Sequence, residues 1–165
     1  MVRSNERRMN PKQITVAGLV VIVLALAAQH NHNTSHKVSM IILPKVQGAI
    51  DESVTESNVK STVCVGGYTR NVRPPTSYTT KLKIQQLHDL GYFDQDPTHY
   101  EEDHLISLSL GGHPTDPDNL WPEPWSQAHA SDRVEFILYT NLCSIGSITL
   151  KQAQDKIKQW KSTKG

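Results

Sequence analysis

At 165 residues the chain suits one modest domain plus appendages. Its formal net charge of +1 excludes a bulk electrostatic argument for a nucleic-acid partner. From Lys60 onward 11 lysines and arginines face 12 acidic residues, so any phosphate binding has to come from a local site.

Arg3, Arg7, Arg8 and Lys12 precede an uncharged apolar run from Ile14 to Ala28. The run falls short of the roughly 20 residues that span a bilayer comfortably. It suffices for the apolar core of a secretory signal, and Ala25 and Ala27 supply an A-x-A pattern with a cut before Ala28. Residues 1–28 are therefore expected to be a signal peptide, or a membrane anchor with its basic end in the cytoplasm if uncleaved. A buried helix of a cytosolic protein is the third reading. The first two export the rest of the chain, periplasmic, secreted or anchored, with membrane contact only through this segment.

Residues 29–57 read as a polar linker. The stretch QHNHNTSHK, with His30, His32 and His36, has the composition of solvated chain more than of a metal-binding tract. Met40 to Leu43 reads as a short strand or a membrane-proximal contact, ended by Pro44. Residues 58–165 are the expected domain, with its boundary near Asn58. It opens with alternating Val63 and Val65 and the Gly66-Gly67 pair, which predict a short strand and a turn. Pro74-Pro75 exclude regular structure before a helix expected from Thr79 or Thr80, with Leu82, Leu87 and Leu90 as its stripe and Gly91 as its stop. Tyr92 to Thr98 reads as loop.

Two helices finish the chain. Ser126 can cap one running to about Leu142, with Ala130, Val134, Ile137 and Leu138 inward. After Gly146, Thr149 and Gln152 form a capping-box pattern, and Leu150, Ala153, Ile157 and Trp160 recur at helical spacing as core. Cys64 and Cys143 lie near the two ends of the domain. In an oxidising compartment they predict one disulfide, worth roughly 4 kcal/mol for a loop of about 80 residues; two buried free thiols are the other reading.

The chemistry is concentrated in YEEDHLISLSLGGHPTDPDNLWPEPWSQAHASD, from Tyr100 to Asp132. Phosphodiester hydrolysis needs a water deprotonated near neutral pH, which histidine can do. It also needs charge neutralised on the phosphate, which a divalent ion on hard oxygen ligands can do. Adjacent Asp103 and His104 can divide these tasks. On a strand they point to opposite faces, so local twist must bring both to one cleft.

Asp103-His104, then Leu110-Gly111-Gly112, then Asn119-Leu120 is the ordered set of the HNH, or ββα-metal, nucleases, which this segment resembles. YEEDHLISLSLGG followed by DPDNLWPEPW looks like a branch of small bacterial and phage HNH-like proteins, many with a signal sequence. The resemblance covers roughly Cys64 to Trp160. It implies an α+β fold with a ββα-metal (His-Me finger) core and supporting helices. The implied activity is a metal-dependent endonuclease acting on nucleic acid, DNA favoured, leaving 5′-phosphate ends. His104 would be the general base, Asp103 a metal ligand, and Asn119 the residue that holds the loop and orients the histidine. Gly111 and Gly112 would let the loop turn. The helix ligand would be His129, with Gln127 as the alternative, since related members carry asparagine there. One divalent ion would be held, Mg²⁺ first, with Mn²⁺, Zn²⁺ or Ni²⁺ accepted at a site containing His129. Ser107 stands where the family has proline, and Ser131 where the branch has lysine.

Beside these, Arg73 and Arg133, with Arg70, are candidate phosphate contacts. Glu101 and Glu102 read as solvated carboxylates or outer support for an ion, and His113 as loop surface. Trp121 and Trp125, between prolines, read as packing before base stacking. The rivals to a nuclease are an HNH-fold binding module that has lost its chemistry and a cell-envelope structural protein.

Overall fold

The computed structural model describes residues 42–164. The expected signal or anchor, and His30, His32 and His36 of the expected linker, lie outside the described residues. Among the described residues no helix is long and apolar enough to cross a membrane.

The architecture is mixed α+β. Among the described residues, four helices, α1 (Tyr68–Val72), α2 (Thr76–Asp89), α3 (Trp125–Tyr139) and α4 (Leu150–Lys164), surround one two-stranded antiparallel sheet of β1 (Tyr100–His104) and β2 (Leu120–Pro124). The register sets Glu101 opposite Glu123, Asp103 opposite Trp121 and His104 opposite Leu120. Helix α2 packs against both strands, and Leu87, Tyr92 and Tyr100 form a small cluster there. The larger apolar core gathers Val54, Val59, Val63, Ile106, Leu110, Leu138, Leu142, Leu150, Ala153 and Ile157.

The domain begins earlier than the expected boundary near Asn58. The Gly48 amide donates to Asp118 O (2.7 Å), the Asp51 amide to Gly111 O (2.9 Å), and Ile50 bridges Gly112. Val54 is buried, and Glu56 accepts from the Leu150 amide (2.8 Å), satisfying a donor at the start of α4. A polar sequence without periodicity hid this segment because its backbone, more than its side chains, makes the contacts.

No strand forms at Val63–Val65. The Cys64 amide donates to Val59 O and the Val65 amide to Thr62 O, so the backbone winds through turns into α1. The burial alternation is real, with Val63 inside and Val65 out, but no neighbouring strand offers a ladder. Helix α2 starts at Thr76, three or four residues earlier than expected, because Pro75 occupies the N-cap, where its missing N–H costs nothing.

Helix α3 is turned relative to its expected inner face. Gln127, Ala128, Ser131 and Leu138 are buried, whereas Ile137 is half-exposed and Ala130 exposed. The helix continues through a wider turn, Thr140–Ile145, which buries Leu142 and ends at Gly146 with φ 72°. On α4 the capping box is formed: the Thr149 amide donates to Gln152 Oε1 (3.0 Å) and the Gln152 amide to Thr149 Oγ1 (3.2 Å). Its buried stripe runs Leu150, Ala153, Gln154, Ile157 and then Lys161, with Trp160 only half-buried. Cys64 and Cys143 form a disulfide against the apolar core, and Lys60 Nζ donates to Leu142 O and Cys143 O beside it.

Candidate functional site

The loop between the strands is built around Asn119. Fully buried, it accepts from the Ile106 amide through Oδ1 (2.9 Å) and donates through Nδ2 to Ile106 O (3.0 Å) and His113 O (2.9 Å). All of its amide contacts are to backbone, and none is to the His104 ring. Asn119 is thus a clamp on the loop and makes no hydrogen bond to the ring of the histidine that it was expected to orient. The glycines serve the same turn. Gly111 has φ 76°, and a Cβ on Gly112 would lie 1.7 Å from Ile106 O and 2.8 Å from Asn119 Nδ2.

The clamp holds His113, and the next residue, Pro114, presents its carbonyl 2.9 Å from His104 Nε2. A carbonyl only accepts, so Nε2 carries the proton and Nδ1 keeps its lone pair. Burial holds the His104 pKa below the ordinary imidazole value, against the opposing pull of the Pro114 carbonyl and the Asp103 charge. The ring is therefore neutral at pH 7 and has a free acceptor. His104 and Asp103 line one cleft of about 210 Å³, with Thr69, Arg73, Ser109 and Glu135. Although neighbours on a strand face opposite sides, both side chains line this cleft at the end of β1. Ser107, also in the wall, adopts φ −54°, a value proline shares.

Behind the carboxylates lies Lys161, fully buried. Its ammonium donates to Asp103 Oδ2, to Glu135 Oε1 (2.7 Å) and to His104 O (2.9 Å). Burial acts to lower the Lys161 pKa, but Asp103, Glu135 and Glu123 outweigh it and keep the group charged. Burial likewise acts to raise the Asp103 pKa, and Lys161 outweighs it, leaving a carboxylate. Glu123 goes the other way: burial, then the charge of Asp103, lifts its carboxyl well above the usual range. Neutral Glu123 can donate toward Asp103 while accepting from Ser131 Oγ (2.9 Å). Burial also raises Glu101 to about 7 and Glu102 to about 8.

The donors expected for a divalent ion do not fit one in this arrangement. Asp103 is bonded to Lys161. His129 is exposed and lines no wall of the cleft. Gln127 is buried, but its amide is paired with both backbone groups of Ile42 (2.8 and 2.9 Å). Carboxyl oxygens of Glu101, Asp103 and Glu123 lie within 4.8 Å of one another, yet two of the three are engaged by Lys161 and Ser131.

Arg73 lines the cleft, whereas Arg70 and Arg133 are exposed away from it. Trp121 is fully buried, and Trp125 is half-exposed with its Nε1 donating to Thr98 O (3.0 Å). Across Thr69, Ser109 and Glu135 the cleft adjoins a groove of about 290 Å³ lined by Val65, Tyr68, Asp132, Phe136 and Tyr139. Sequence reasoning missed Glu135, Glu123 and Lys161. The available signals were Gln127, Ser131 and Glu135 four residues apart, and a lysine four residues after Ile157 on an otherwise buried stripe.

Against protein families, curated proteins and solved structures, the chain finds no match in any of the three comparisons.

Proposed function

We propose that the chain is an exported endonuclease of the HNH type, hydrolysing phosphodiester bonds of nucleic acid, DNA in preference. The observation that carries this reading is His104: a neutral imidazole held through Nε2 by Pro114 O, beside Arg73 in an open cleft. His104 Nδ1 takes a proton from a water as that water attacks phosphorus, the bond from phosphorus to the 3′ oxygen breaks and that oxygen leaves, taking a proton from solvent, while the Arg73 guanidinium opposes the charge growing on the phosphoryl oxygens. The adjoining groove, with exposed Phe136 and Val65, suits the sugar and base next to the scissile bond. The β1–loop–β2–α3 order and the Asn119 clamp support a ββα core. The disulfide agrees with an oxidising compartment.

The test is plasmid nicking by purified protein, wild type against His104→Ala and Arg73→Ala, each with Mg²⁺, with Mn²⁺ and with EDTA. Wild-type cutting is expected to fall by at least about 100-fold in His104→Ala, the scale of a lost general base. Cutting that survives this substitution overturns the assignment.

The engagement of Asp103 by Lys161 favours a second reading, a nucleic-acid-binding module with the nuclease shape and no hydrolysis. It is distinguished by retained DNA binding, sensitive to Arg73→Ala, with no cutting under any of the three conditions.

A further inference from the structure

The ammonium of Lys161 sits where two separate elements turn three oxygen atoms toward one point. Asp103 Oδ2 and His104 O come from β1, and Glu135 Oε1 comes from α3. Two carboxylates and a carbonyl are the hard donors that a divalent cation takes. Lys161 offers three N–H donors to three acceptors, so the tripod is complete on both sides.

We propose that the Lys161 ammonium is the resident cation of this centre, filling the position between Asp103 and Glu135 so that no divalent ion is held there. The inference stands apart from the nuclease reading, because it concerns what the carboxylates bind whether or not the cleft cuts.

The placement is built into α4 and is no accident of a flexible side chain. The capping box and Glu56 set the start of the helix. Ala153 and Ile157 seat it in the apolar core, and Gln154 Nε2 donates to Leu110 O (3.0 Å). Lys161 continues that buried stripe by one turn. Its side chain is fully covered, while Asp103 and Glu135 keep 19% and 18% of theirs exposed toward the cleft. A covalently tethered ammonium competes with a dissolved ion at high effective concentration. Expelling it would strand a charge with no solvent in reach.

The experiment is Mn²⁺ titration of the whole protein followed by electron paramagnetic resonance of the free ion. It uses wild type, Asp103→Asn, Lys161→Met and the Lys161→Met/Asp103→Asn double variant. Wild type is expected to withdraw no Mn²⁺ in an Asp103-dependent way. Lys161→Met frees the oxygens and is expected to bind one Mn²⁺ per chain at least about tenfold more tightly than wild type, and the double variant is expected to lose it. One Mn²⁺ per wild-type chain, removed by Asp103→Asn, overturns the proposal. So does a folded Lys161→Met protein that gains no binding. If Lys161→Met does not fold, wild type against Asp103→Asn still decides, since Asp103-dependent binding in wild type is the refuting result and its absence the supporting one.

Discussion

Helix α4 buries its two ends in opposite kinds of environment. Its first half places Leu150, Ala153 and Ile157 among hydrocarbon, beside the Cys64–Cys143 disulfide. One turn further, Lys161 is as fully buried as Ile157, yet it lies among Asp103, Glu135 and a strand carbonyl. Apolar burial is non-directional and scales with area, so the first region tolerates exchange of shape. The second depends on each donor meeting its own acceptor, because a charge left alone in the interior has no water to turn to. The same helix therefore carries a tolerant anchor and an intolerant one.

The comparison breaks most visibly at Lys161→Ala. That change strands two carboxylates and is expected to destabilise by roughly 3–5 kcal/mol, read as a lowered urea midpoint. On the apolar side, replacing Cys64 and Cys143 by serine releases a loop spanning 79 positions and is expected to cost up to about 4 kcal/mol by the same measurement. Ile157→Ala is expected to cost about 3 kcal/mol, whereas Ile157→Val costs about 1 kcal/mol, showing the graded response that the polar end lacks.

A pH-dependent effect is expected at Glu123→Gln. The native Glu123 pKa is raised above its unfolded value, so the folded state holds the extra proton. The stability this gives is full below the unfolded carboxyl range and is lost as pH climbs toward the raised value. Glutamine cannot titrate, yet it can still accept from Ser131 and donate toward Asp103. Urea midpoints should therefore favour Glu123→Gln increasingly between about pH 5 and about pH 8. A constant difference across that window would show that Glu123 carries no extra proton in the native state.

Local rules were legible where they involve neighbours in the chain. Thr149 and Gln152 cap α4 reciprocally, Gly111 and Gly112 turn the loop, and Ile157 lies inside on a stripe of helical spacing. Rules that count only apolar residues misaimed α3, because the side it presents to the strands carries Gln127, Ser131 and Glu135, each satisfied by a distant partner. For the same reason Trp160 was expected in the core and Lys161 was not. Residues 48–54 looked like linker because backbone pairing leaves no mark on side-chain composition.

By itself the sequence determined the helices on either side of the hairpin, the capping box of α4, the glycines that shape the loop, and the pair Asp103 and His104, which opens on the cleft. Only the tertiary structure decided what those residues touch. Asn119 bonded to the backbone at Ile106 and His113 and not to the histidine ring, His129 stayed on the outside of its helix, and an ammonium 58 positions along the chain came to rest on Asp103. Spacing along the chain sets which way a side chain can face. The partner it meets there depends on how elements far apart in sequence pack, and for buried charge that partner sets both stability and chemistry.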